Sequence, residues 1–382
     1  MNETSPLTTK RAIALGSGNN SDSSQGDADV EQHHLSKRPR LDESFEPSEN
    51  MPGSEDHQVN DNDEDADIED EDMVLSEVHI NPKNGRADGR FITSIFHLGR
   101  SVQRTIPDSI SENPVSREDV TWDYAVEIEH AMGTPLMGVG SQVWMGGFLL
   151  MDWMVNIKDQ LLGSVVMELG AGTGLASIAL CIATDIERVF CTDYSTEILS
   201  NCERNITRNS QHEWSDSQPS SQLDNRVLVR RYNWLMPDPL DTVDDPLDWY
   251  NWTPQDREEW RSKGAFIVAA DVIYDDSLTD ALITSLETLL AEPLPESHPR
   301  YSIGRVAYLS MEKRYNFSVE QLDVVAQAHD YFVQQIANSK VIEARRVDCS
   351  EIDQYCDYVR SKDLELYRVT ILSSGHPSGP PP

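Results

Sequence analysis

VVMELGAGTGLASIAL, residues 165–180, reads as a buried strand, a glycine turn and a helix. Val165, Val166, Met167 and Leu169 form the short apolar run of a central parallel strand. Gly170, Gly172 and Gly174 follow at every second position, and Leu175 to Leu180 opens a helix of Ala, Leu and Ile. Such a turn lets the backbone approach a ligand closely and aims the N–H groups of a helix N-terminus at it.

The glycine spacing narrows the ligand. A dinucleotide fingerprint needs glycine three residues after the second one, where Leu175 stands instead, and a phosphate loop needs a Gly-Lys-Ser/Thr that is absent. Glu168 just before the turn would repel phosphate and attract an ammonium or a sulfonium. Together these features point to S-adenosylmethionine rather than NAD or ATP. For the turn alone, an ordinary strand–turn–helix without ligand is the alternative.

The chain has 382 residues and a formal net charge of −35. Residues 1–72 hold 20 acidic and 5 basic side chains, so the remainder is acidic as well. That balance argues against a basic nucleic-acid-binding face and favours a basic protein or peptide partner. The five cysteines, Cys181, Cys191, Cys202, Cys349 and Cys356, include no C-x-x-C pair and read as reduced thiols without a zinc site. No apolar run approaches a membrane span, and no signal-peptide h-region is read in the N-terminal residues. A monomer without membrane or direct nucleic-acid contact is expected.

Residues 1–72, rich in Ser, Asn, Asp, Glu and Pro, are expected to be disordered. Lys37-Arg38-Pro39-Arg40 within them suits a nuclear-import signal, so a nuclear protein, also present in the cytoplasm, is expected. Strands are expected at 74–80, 91–99 and 124–132, forming a small β appendage over 73–135. Residues 138–159 read as one helix capped by Ser141, with Trp144, Phe148, Met151 and Val155 at helical steps. Residues 136–374, this helix included, are expected to form the ligand-binding domain, and 375–382 a disordered tail.

RVFCTD, 188–193, is a second strand ending in Asp193, roughly 20 residues past the glycine turn. A carboxylate there lies beside the ribose of a bound nucleoside. A helix over 197–210 and a strand over 226–234 follow. The amide of Asn233 suits adenine and Trp234 a flank of its ring, although core packing accounts for the Trp equally well. Residues 235–263 read as an irregular insertion carrying Trp249, Trp252 and Trp260. Residues 265–282 read as strand four running into a helix, with Asp271 and Tyr274 where the chain leaves the sheet. A strand at 305–314, a long helix at 318–336, and strands at 340–348 and 364–372 complete an α/β fold with a doubly wound sheet.

ELGAGTGL at 168–175, Asp193, Trp234 and DVIY at 271–274 resemble the family of seven-β-strand protein-lysine methyltransferases. The likeness runs over roughly residues 74–370 through VLSEVH (74–79), IEHAMGTPL (128–136), GSQVW (140–144), YDDSLTDA (274–281) and EKRYNF (312–317). It implies a Rossmann-like class I methyltransferase sheet of seven strands with helices on both faces. It further implies S-adenosyl-L-methionine as cofactor and methyl transfer to a lysine of a protein, here a basic, nucleic-acid-associated nuclear one. Carried onto this chain, Glu168, Gly170, Gly172 and Gly174 cradle the methionine part, Asp193 binds the ribose, and Asn233 and Trp234 border the adenine. Trp144 lines the cofactor mouth, and Asp271 and Tyr274 form the acceptor side, with Asp271 orienting the incoming ammonium. Asn233 stands where many members carry an acid or Leu, and the 235–263 insertion is long for the family. Two rivals are a methyltransferase for small molecules or nucleic acid and a cofactor-binding scaffold without catalysis. The absence of Asn/Asp-Pro-Pro-Tyr/Phe after strand four argues against methylation of base amino groups.

Overall fold

The computed structural model describes residues 74–75, 78, 84–85, 91–102, 120–211, 223–240, 246–318 and 323–372, all within the unit Asp67–Pro382. The expected tail over 1–72, its Lys37–Arg40 cluster and the terminal 375–382 lie outside them, as does most of the strand expected at 74–80. The chain runs β1 (Val74–Leu75), β2 (Asn84–Gly85), β3 (Phe91–Val102), β4 (Val120–Ala131) and β5 (Gly133–Thr134). Then come α1 (Met145–Asn156), α2 (Lys158–Leu161), β6 (Val165–Leu169), α3 (Leu175–Ala183), β7 (Arg188–Asp193), α4 (Thr196–Ser210), α5 (Leu223–Arg226) and β8 (Val227–Arg231). The last part comprises α6 (Pro254–Lys263), β9 (Gly264–Ala270), α7 (Asp276–Ala291), β10 (Val306–Glu312), β11 (Asn316–Ser318), β12 (Asp323–Val325), α8 (Gln327–Asn338), β13 (Ile342–Val347) and β14 (Leu364–Ile371).

Seven strands form one sheet in the order β13-β14-β10-β9-β6-β7-β8. β14 runs antiparallel to both its neighbours and the other pairs are parallel. From β6 the chain proceeds to β7 and β8 on one side and returns to β9 and β10 on the other. The strand order therefore reverses between β6 and β9, where a crevice opens at the strand ends. Alternation sorts the strand side chains. Val166, Val189 and Val268 join α1, α3 and the β3–β4 hairpin in one core, while Val165, Met167 and Ile267 join α7, α8 and Trp260 in the other. This is the doubly wound α/β architecture expected.

Three expected elements differ. Residues 136–141 form a 3₁₀ turn, and α1 starts only at Met145 with Trp144 in the cap position, so Ser141 caps nothing. The insertion is not irregular throughout. Thr253-Pro254-Gln255-Asp256 makes a capping box that starts α6, in which the Thr253 hydroxyl accepts from Asp256 N and the Asp256 carboxylate from Thr253 N. Trp260 and Trp252 are buried and anchor the segment, whereas Trp249 is exposed. Finally, α8 is shorter than expected, because β11 and β12 pair as a hairpin before it.

β3 and β4 pair along their length as the core of the expected β appendage, and α4 fastens the outer edge of β4. Asn209 and Asn205 accept from the N–H groups of Glu127 and Glu129 and donate to their carbonyls. Asn201 adds a second donor to Glu129 O. Asn205 also donates to Thr173 O in the glycine turn, 3.0 Å away. The i, i+4, i+8 spacing places all three amides on one helix face.

Candidate active site

A cleft of about 280 Å³ opens at the reversal point between β6 and β9. Trp144, Glu168, Gly170, Gly172, Asp193, Asn233, Trp234, Asp271 and Tyr274 all line it. Of the residues singled out from the sequence, only Gly174 does not. It holds φ +77° at the N-cap of α3, and a Cβ there would lie 2.5 Å from Cys202 Sγ. Its absent side chain serves packing.

The floor is the turn after β6. Gly172 has φ +55°, and a Cβ on it would sit 2.7 Å from the Gly140 carbonyl. The glycine is thus required because the 136–144 wall closes onto the turn there, in addition to any approach by a ligand. Asp193, at the end of β7, accepts from Gly172 N (3.1 Å) and Tyr194 N (2.8 Å). Burial raises its pKa, opposed by those N–H donors. Glu168 lies buried beneath the turn and accepts from the Ser177 hydroxyl. Burial lifts its pKa to about 7, the Ser177 bonds oppose this, and the Asp193 charge reinforces it.

At the far wall, Asp271 is the one non-glycine with a positive φ, +51°, among the described residues. Asp tolerates this conformation better than most side chains. Its Oδ2 accepts from Gly146 N (2.5 Å) and its Oδ1 from Glu312 N (2.8 Å). A carboxylate carried by β9 therefore serves the start of α1 as a remote cap and ties it to the end of β10. Gly146 has to be glycine for this, since its Cβ would meet Asp271 Oδ2 at 2.5 Å. Besides standing on the expected acceptor side, Asp271 thus staples two backbone segments together. Burial pushes the Tyr274 phenol up to about 12, so it keeps its proton at neutral pH.

Trp144 donates its Nε1–H to Val139 O (3.0 Å), which fixes the ring as a plate in the wall. Asn233 Oδ1 accepts from Leu235 N, so that oxygen is used within its own turn. Sequence reasoning missed Gln142. It is 2% exposed and lines the cleft. Its Nε2 donates to Val74 O and Thr134 Oγ1, while its buried Oε1 has no partner among the described residues. Nothing local in GSQVW announces this, because Val74 is 68 residues away. Among the described residues no group of side chains is arranged to hold a metal ion, and no helix is long and apolar enough to cross a membrane.

Residues 123–297 match the family model described as lysine methyltransferase. Over 253 residues the chain is 35% identical to methyltransferase-like protein 22 of Mus musculus, covering 64% of this chain and 59% of that protein. It is 35% identical over 250 residues to the Homo sapiens protein of the same name, covering 64% and 57%. The chain thus spans less than two thirds of the length of these relatives. Among solved structures, the methyltransferase domain of bacterial CtHen1-C gives a TM-score of 0.35 at 13% identity, over 60% of this chain and 100% of that one. The resemblance to lysine methyltransferases is borne out over residues 123–297.

Proposed function

From that family match we propose that the protein uses S-adenosyl-L-methionine to methylate a lysine side chain of another protein. The observation that carries this reading is the charge of the cleft. Glu168, Asp193, Asp271 and Asp275 line it, and among the described residues no Lys, Arg or His does. Such a wall suits a cofactor bearing a sulfonium and an ammonium, and an acceptor arriving as a cation. The unpartnered Gln142 Oε1 fits a ligand rich in N–H donors, since a buried acceptor without a partner costs about 1–3 kcal/mol.

When bound, the cofactor supplies a methyl group on a positively charged sulfur. The chain's own residues do the rest. Asp193 keeps lone pairs for the ribose hydroxyls, and Trp234 and Asn233 border the base. Tyr274, protonated at neutral pH, donates its O–H into the acceptor side. Asp271, held rigidly by two backbone N–H groups, orients the incoming ammonium. The amine has to lose its proton before it reacts, and alignment at about 3 Å then accounts for most of the rate. The chain's net charge of −35 supports a basic protein as acceptor. With the Lys37–Arg40 cluster it supports a nuclear, nucleic-acid-associated one.

The test is incubation of the full chain with methyl-labelled cofactor and a nuclear extract. Label is expected as methyllysine in a basic protein, and lost with Asp193→Ala. Label recovered in RNA or small molecules, or none despite measurable cofactor binding, would overturn the reading.

Glu168 gives a pH signature. Its folded pKa of about 7 lies above the ordinary 4.5. Its contribution to stability is therefore intact below 4.5 and lost as pH rises through 7. A bound cation reverses the preference. Cofactor affinity is expected to rise roughly tenfold between about pH 6 and 8, with proton release. Glu168→Gln should flatten that profile in calorimetry, and an unaltered slope would show another group responsible.

A further inference from the structure

Arg314 lies two residues beyond β10, at the same strand ends that build the cleft. Its guanidinium sits 4.2 Å from the centroid of the Trp144 ring; Trp144 walls the cleft, and Arg314 stands next to that wall without itself lining the cleft. Arg314 is half-buried and makes no hydrogen bond or ion pair with any described residue. In a chain with 66 acidic side chains against 31 basic ones, a partly desolvated arginine without a carboxylate is an open position. The aromatic face balances part of its charge and holds it in place, yet satisfies none of its N–H donors.

We propose that Arg314, seated on Trp144, is the subsite for the carboxylate at the amino-acid end of the cofactor. This rests on the S-adenosylmethionine reading of the cleft. The acidic lining suits the sulfonium and the α-ammonium but repels the carboxylate that the same amino acid carries. Glu168 and Asp193 crowd the turn, so the carboxylate is directed away from them, toward the 136–144 wall. There Trp144 presents a cation that no described residue claims by hydrogen bond. Arginine suits the task because its planar fork matches a carboxylate and stacks on an indole at the same time.

The experiment compares two thioethers by calorimetry on the full chain: S-adenosylhomocysteine and its decarboxylated amine. Arg314→Gln should weaken the first roughly tenfold or more and leave the second within about twofold. Arg314→Lys should keep part of the difference. Equal weakening of both ligands would mean that Arg314 only props Trp144, and would overturn the proposal. So would unchanged affinity for both, including the case where only the KM for the protein acceptor rises because Arg314 meets an acidic group there. Wild-type protein that binds neither ligand would instead sink the cleft reading itself, so the two failures are distinguishable.

Discussion

Replacing Asp193 by Ala is expected to weaken S-adenosylmethionine binding by roughly a hundredfold or more. Two ribose hydroxyls would lose a charged acceptor, and a hydrogen bond to a charged group is worth about 1.5–3 kcal/mol. The side chain also gathers Gly172 N and Tyr194 N. Ala leaves those N–H groups without the carboxylate, so the turn loosens and the melting temperature drops as well. Asp193→Asn separates the two effects. Its amide oxygen can still take one of the N–H groups, so stability recovers more than affinity does. Calorimetric titration together with thermal melts checks both. Wild-type affinity in the Ala variant would show that the ribose is held elsewhere.

Asp271→Ala has the other large effect. Ala at φ +51° is strained by about 1 kcal/mol or more. The α1 cap at Gly146 N and the tie to Glu312 N go at the same time. With two hydrogen bonds to a charged group lost at about 1.5–3 kcal/mol each, a stability loss of about 3–5 kcal/mol or more is expected. Methyl transfer should fall more than roughly a hundredfold, because the wall that carries Trp144 and Gln142 is no longer held. Asp271→Asn tolerates the left-handed backbone and keeps one oxygen acceptor, so it should fold better while transfer stays impaired. Denaturation curves and single-turnover rates distinguish a staple from an orienting carboxylate. If the Asn variant is nearly as stable as wild type and transfers at the wild-type rate, Asp271 acts through structure alone.

The legible parts of this protein are those whose causes are local. β6, its turn and α3 are written in nineteen consecutive residues, and Asp193 and Asp271 stand at strand ends that apolar runs delimit. The capping box at Thr253–Asp256 is local as well, but it sits in a stretch whose Trp, Asp and Pro also suit a loop. The rest depends on distant partners. Asp271 is paired with residues 125 and 41 positions away. Gly146 is glycine because of that carboxylate, and Gln142 is fixed by β1. Where the hairpin overlaps the helix expected from residue 318, the apolar spacing fits either period.

The three asparagines on α4 have one more consequence. A hairpin ending in an open edge offers a template on which another chain can add a strand. Here the amides of Asn205 and Asn209 occupy the donors and acceptors of Glu127 and Glu129 as a neighbouring strand would. A helix thus counterfeits the missing strand and closes that stretch of β4 to invasion and fibre growth. The same helix begins three residues after Asp193, which lines the cleft. Edge protection and the cleft floor are therefore built from one continuous piece of chain.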